Sequence, residues 1–442
     1  MEMNVKKAML VLFMAVLLAA SWMLVLKKAS VIEEKEKQEA LCAEAGKFLE
    51  QELYVRAIPL YEEALAYNTG SQDDIGKKLL EAYEKYGDME SYTALVKRRI
   101  KKGIAGEEEC LVAAQHKLDS RHIEDAMELL KGAIQQNDSG ALEDYYEKNR
   151  YEYGIRATPW IEITPTALNE KMPASDGKNW YFVDDAGRIV LDGGYEKAVP
   201  FDSSGYAAVR RNGQYLTILE NGDWYGRDNT GITDVMALSS GRVLAQSGGT
   251  YSYYNYDFMP LAESLQYEAV TVNACGVAAV KKDGRWGIIT DDGETVLDFV
   301  LEDIAVNSLG SAFAGNAAMA QMDGKWVLID TQGNQISKNA YADAKAPESE
   351  NGWIAVADES GRWGFIDRTG SLVLECQYED ACSFSCQLAP VCRRKNWGYI
   401  SKKGELVIDE PFEDAQPFHN GRAQASLAGY ESILELSYFE EE

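Results

Sequence analysis

A chain of 442 residues with 46% hydrophobic and 10% aromatic content is longer than one hydrophobic core usually serves, and too apolar to be mostly disordered. Two or more folded units are expected. The formal net charge of -27 repels polyanions, which excludes nucleic acid as a partner and disfavours bare anionic lipid surfaces.

In chain order, the first element is apolar. Ala8 to Leu26 are nineteen consecutive residues without a charge, and as a helix they nearly match a hydrocarbon core of about 30 Å. Residues 1–29 are therefore read as a transmembrane anchor. The small residues Ala19, Ala20 and Ser21 resemble a signal-peptidase site, but Trp22 to Leu26 carry the apolar run past them. Lys6 and Lys7 before the span nearly balance Lys27 and Lys28 after it, so orientation rests on the long chain that follows. The expected localisation is the cell membrane, single-pass, with the body of the chain outside the cytoplasm.

Residues 30–154 are rich in Ala, Leu, Glu and Lys, with apolar positions at helical spacing. Within them Ala57, Tyr92 and Ala126 recur at intervals of 35 and 34 residues, each followed by an apolar position about one turn on. A small residue where two helices cross, repeated every 34 residues, resembles the tetratricopeptide repeat, and implies stacked helix pairs with a concave face. Tyr92 departs from the small crossing residue of that pattern. Residues 155–175, with Pro159, Pro165 and Pro173, are read as a linker.

Residues 176–442 change to glycine, β-branched and aromatic content. One aromatic position recurs seven times, at Trp180, Tyr215, Tyr251, Trp286, Trp326, Trp363 and Trp397, at intervals of 34 to 40 residues. Turn pairs such as Asp283-Gly284 and Asp323-Gly324 precede it, and a second turn glycine follows seven residues later in most units, as at Gly293, Gly333, Gly370 and Gly404. The segment between the two turns is thus a short strand. A Tyr-Glu-Asp-like corner and an alanine-rich strand complete each unit, as in Tyr378-Glu379-Asp380 and Ala317-Ala318-Met319-Ala320.

These features resemble the WG repeat of bacterial surface and envelope-associated proteins, named for the pair seen at Trp286-Gly287, Trp363-Gly364 and Trp397-Gly398. Four short strands per unit imply a propeller blade, and seven units imply a seven-bladed ring, with an open antiparallel solenoid as the rival. Closure is expected by pairing Ala423 to Leu427 beside Trp180 to Val183, because each would otherwise present a free edge. The repeated tryptophans are read as packing residues, and the glycine after each as room for a neighbouring strand. The acidic corners are read as acceptors for backbone N–H groups at turns, not as a metal ladder.

The seven cysteines, Cys42, Cys110, Cys275, Cys376, Cys382, Cys386 and Cys392, form no C-x-x-C pair, so zinc and thioredoxin-type readings fail. They are read as buried thiols, with a Cys376–Cys392 or Cys382–Cys386 bridge as the alternative. Three histidines, His116, His122 and His419, fall in no metalloprotease motif, and no nucleophile elbow, phosphate loop or dinucleotide fingerprint is present. No catalytic residue, metal or cofactor is assigned. The function expected is a binding or scaffold role through repeat surfaces, toward a protein partner or a cell-surface glycan. A propeller glycosidase using two carboxylates is the enzymatic alternative.

Overall fold

The computed structural model describes residues 22–23, 31–67, 71–164, 171–184, 186–229, 231–239, 241–261, 267–290 and 293–439. The chain divides into two compact units, Met1–Arg150 and Tyr151–Glu442. The membrane span expected over Ala8 to Leu26 lies, apart from Trp22 and Met23, outside the described residues. No helix among the described residues is long and apolar enough to cross a membrane, so the anchor is corrected to an unsupported assignment.

The first unit is a run of helices: α1 (31–50), α2 (Tyr54–Ala66), α3 (Gln72–Tyr86), α4 (Met89–Lys101), α5 (Glu107–Asp119), α6 (Ile123–Ile134) and α7 (Gly140–Asn149). Their boundaries follow local chemistry: Asp88 accepts the backbone N–H of Ser91 at the start of α4, and Gly87 ends α3 in the left-handed conformation. Ala57, Tyr92 and Ala126 all face the interior and are buried. Arg99, only 3% exposed, ties α3, α4 and α5 together: it donates to Glu109 at 2.8 Å, to the Asp73 carboxylate at 2.7 Å and to the carbonyl of Ile104 at 3.0 Å. Gly76 leaves space for it, since a Cβ there would lie 2.6 Å from the guanidinium.

The second unit is an eight-bladed β-propeller, where the sequence reading expected seven blades. In chain order the blades span 162–195, 197–229, 232–254, 269–301, 303–341, 343–378, 380–412 and 414–436, and are numbered 1 to 8 here. Within a blade, consecutive strands pair antiparallel, so the turns between first and second strands share one face and the hairpins between second and third strands share the other. Blade 3 has three strands among the described residues; Tyr267 supplies an isolated bridge to Tyr251 where a fourth strand would lie.

One blade escaped the count, and the start of another was misjudged, because their segments are atypical. Met172–Ser175 (MPAS) is the second strand of blade 1, with Ser175 opposite Trp180, although it lacks the alanine-rich pattern. Tyr430–Leu436 is a full strand of blade 8, with Glu431 at the register position that Trp397 holds in blade 7. Blade 8 is completed by a strand from the other end of the unit: Tyr153–Ala157 pairs with Tyr430–Leu436, setting Ile155 opposite Leu434. Ring closure therefore comes from strand exchange, and not from Ala423 to Leu427 beside Trp180 to Val183. Ile433 of blade 8 then packs with Ile163, Met172 and Val183 of blade 1. Residues 155–175, expected as a linker, hold this closing strand and the first strands of blade 1.

The Trp-Gly pair has a specific structural cause. In blade 6 the third strand sets Trp363 opposite Tyr378 but Phe365 opposite Leu374, so the fourth strand carries two extra residues exactly where Gly364 sits opposite no partner. Blades 4 and 7 repeat this bulge: Trp286 faces Leu301 and Ile288 faces Leu297, while Trp397 faces Phe412 and Tyr399 faces Ile408. The bulged backbone presses on the glycine. A Cβ at Gly287, Gly364 or Gly398 would lie 2.7, 2.6 or 2.7 Å from the carbonyl oxygen of Leu297, Leu374 or Ile408. Blades lacking that glycine solve the same problem differently. Blades 1 and 2 place glycines in the fourth strand itself, Gly194 and Gly226, both at positive φ. Blade 5, which carries Val327 after Trp326, pairs Val327 regularly with Ala340 and defers its bulge to the next pair.

Candidate functional site

The repeat aromatics contribute to packing between strands and blades. Tyr215, Trp286 and Trp363 are buried, and Trp180, Tyr251, Trp326 and Trp397 are half-buried. The tyrosines in blades 2 and 3 have a polar partner that tryptophan could not use in the same way. The Tyr215 hydroxyl donates to Asp234 at 2.9 Å, the Tyr251 hydroxyl donates to it at 3.2 Å, and Lys197 Nζ completes the set at 2.6 Å. The acidic corners hold turns. Glu196, Glu268, Glu302 and Glu413 accept the backbone N–H of Gly213, Gly284, Gly324 and Gly429, and Glu379 accepts those of Arg394 and Lys395. Each carboxylate thereby caps the hairpin of the blade that follows.

The face made by the first-to-second-strand loops is where residues from distant blades converge. Three of these loops, in blades 2, 7 and 8, are pinned by a buried phenylalanine that sequence reasoning missed. Phe201, Phe384 and Phe418 pack on Phe182, Phe365 and Tyr399 of the preceding blade, with ring centroids 4.9, 4.9 and 4.8 Å apart. All three pairs are separated by 19 residues, a period visible in the sequence once the aromatic two places after the repeat tryptophan is aligned. The loops also bond to one another. Val272 N–H donates to Gly310 O at 2.8 Å, Asn307 Nδ2 to Pro347 O at 3.0 Å, and Phe384 N–H to Trp353 O at 2.8 Å. Gly315 passes so close to the next loop that a Cβ would lie 1.8 Å from Glu350 O.

Three side chains from blades 5, 6 and 8 meet within this belt. Ser308 Oγ donates to Glu348 Oε2 at 2.7 Å and lies 2.6 Å from His419 Nε2, and that nitrogen is 3.4 Å from Glu348 Oε2. Glu348 also accepts the backbone N–H of Ser308. Blades 5 and 8 are three apart in a ring of eight, so their loops touch only over the central channel. The cluster is a clasp across the channel mouth.

Its geometry differs from that of a nucleophilic triad. There, the carboxylate holds one imidazole nitrogen and the serine faces the other. Here the serine and the carboxylate both lie on Nε2. With the Ser308 hydroxyl donating to Glu348, its oxygen is left to accept from Nε2–H, and a protonated Nε2 cannot take the serine proton. The arrangement ties loops of blades 5, 6 and 8 together. Among the described residues no three His, Cys, Asp or Glu side chains are placed to hold a metal ion. All seven cysteines are free, and burial pushes the Cys110 thiol in α5 up to about 12.

Five segments of the ring match the WG containing repeat. They are 182–215, 251–286, 286–326, 363–397 and 397–430, the first four ending on a repeat aromatic and the last one residue short of Glu431. In WG-repeat terms, the bulge against Gly287, Gly364 and Gly398 is the reason for the glycine in the motif. No curated protein matches the chain. Among solved structures, the chain is similar to a eukaryotic initiation factor at 10% identity and a TM-score of 0.42, covering 66% of this chain and 90% of that one. The WD40 domain of SCAP from fission yeast shares 8% identity over 64% of this chain and 98% of that one, with a TM-score of 0.36. YCF48 bound to D1 peptide shares 10% identity over 64% and 96%, with a TM-score of 0.32. These likenesses are too remote to carry function.

Proposed function

We propose that this protein is a non-catalytic binding or scaffold protein that recruits a protein partner through its repeat surfaces, with the loop face of the ring as the principal docking surface. The observation that carries this is the Ser308–Glu348–His419 clasp: it joins loops of blades 5, 6 and 8 over the channel without the order of groups that would activate the serine. Loops bonded to each other in this way are rigid before a partner arrives, so less ordering entropy is lost on binding. Val306 and Leu309, 47% and 42% exposed, flank Ser308 and offer apolar contacts beside the polar clasp. The helix pairs of the first unit, read as tetratricopeptide-like, add a second surface for the same scaffold role.

A photo-reactive side chain placed at Leu309 tests the docking surface, with Val300 on a fourth strand of the rim as the control position. The expected result is a discrete adduct from Leu309 alone, abolished by Val306→Asp. Equal adducts from both positions would remove the loop face as the docking surface. Turnover of a glycan or ester substrate that is lost in His419→Gln would overturn the non-catalytic reading.

A further inference from the structure

The hairpin between the second and third strands of blade 7 differs from its siblings in charge and in backbone. Blades 2, 4 and 5 turn on Asn212-Gly213, Asp283-Gly284 and Asp323-Gly324, and blade 8 turns on Ala428-Gly429, with both residues at positive φ in every case. Blade 7 makes the same turn with Arg394 and Lys395, at φ of 52° and 68°. Side chains with a Cβ are disfavoured in that conformation, and the second position is glycine in the other four. The repeat thus serves as its own control: the first turn residue carries a side chain at positive φ in all five blades, and blade 7 alone adds a second, Lys395, where the others have glycine, with Arg394 in place of a neutral or acidic residue. Strain of this kind marks sites where the side chains have a use.

Beside this turn lies a groove of about 450 Å³, within the size range of small-ligand sites. Arg393, Arg394 and Asn396 line it from the hairpin, Trp397 from the third strand, and Asp409 and Pro411 from the bulge of the fourth strand. In a chain with 71 acidic residues, neither Arg393 nor Arg394 has an ion pair or a side-chain hydrogen bond among the described residues. Glu379 nearby is engaged with the backbone N–H groups of Arg394 and Lys395, as its counterparts are in other blades. The hairpin and its groove lie on the face opposite the loop clasp, so this site is separate from the docking surface proposed above.

We propose that the blade 7 groove binds an acidic sugar of the hexuronic type. Two unpaired guanidinium groups suit a carboxylate, which they bind through charge-assisted hydrogen bonds. Asp409 and Asn396 face the same volume, and they decide between classes of anion. A glutamate peptide has no hydroxyl to offer Asp409, whereas each uronic acid ring carries hydroxyls that donate to it beside the carboxylate that the guanidinium groups take. The indole of Trp397 supplies an apolar wall for a pyranose ring.

Titration calorimetry of the full-length chain with trigalacturonate, maltotriose and hexaglutamate tests this. Trigalacturonate is expected to bind, and the other two to bind at least about tenfold more weakly. Arg394→Asp with Lys395→Gly installs the turn of blade 4, and should weaken trigalacturonate at least about tenfold without lowering the melting temperature. Asp409→Ala should weaken it as well. Hexaglutamate binding as tightly as trigalacturonate, with Asp409→Ala improving both, would replace the sugar by an acidic peptide and overturn the proposal. So would absence of trigalacturonate binding, or binding unchanged in the double variant.

Discussion

A Cβ on Gly364 would lie 2.6 Å from the carbonyl oxygen of Leu374, inside any tolerable contact. The strand bulge that creates this approach is the structural content of the Trp-Gly pair. Gly364→Ala should therefore destabilise the ring by about 1 to 3 kcal/mol through forced backbone displacement. Thermal unfolding reads this, and a Gly364→Ala protein that melts with the wild type would show the bulge to be compliant.

The closing strand makes a second prediction. Tyr153–Ala157 completes blade 8, so deleting residues 151–157 leaves Tyr430–Leu436 as a free edge and breaks the contact of Ile433 with blade 1. Amide protection should fall in blades 8 and 1 together. Loss limited to 430–436, with 172–183 unchanged, would mean that the ring does not depend on this strand.

Asp234 gives a pH dependence. Burial by itself would raise its carboxyl, but hydrogen bonds from Lys197 and Tyr215, with the Lys197 charge and Tyr251, bring the net shift downward. A folded pKa below the unfolded value of about 3.9 adds stability above that value, and the gain is lost as pH falls through the folded pKa. Asp234→Asn should lower the melting temperature at pH 7, and the difference from wild type should shrink below about pH 4. A difference that stays constant from pH 7 to pH 3 would assign the effect to packing.

Arg99 makes the corresponding test in the helical unit. Removing it leaves Glu109, nearly buried, without its guanidinium partner. Arg99→Ala should cost about 3 to 5 kcal/mol, and Arg99→Met combined with Glu109→Leu should recover much of it, since a buried pair replaced by apolar groups of similar volume is often neutral. Chemical denaturation of the first unit reads both, and a single variant as stable as wild type would show that α3, α4 and α5 do not rely on this contact.

The sequence by itself determined what repeats locally. The helical period around Ala57, Tyr92 and Ala126 and the β period around Trp286, Trp326, Trp363 and Trp397 were legible because turn chemistry and apolar spacing act over a few residues. Even the role of the acidic corners could be argued from one unit. Blade number could not, because the last blade carries Glu431 where tryptophan is usual and takes its outer strand, Tyr153–Ala157, from the far end of the unit. Ring closure joins Ile155 to Leu434, residues 279 apart, and no local signal encodes such a pairing. The same holds for the clasp. Ser308, Glu348 and His419 belong to three different blades and carry no shared motif, and only the curvature of the closed ring brings their loops together over the channel.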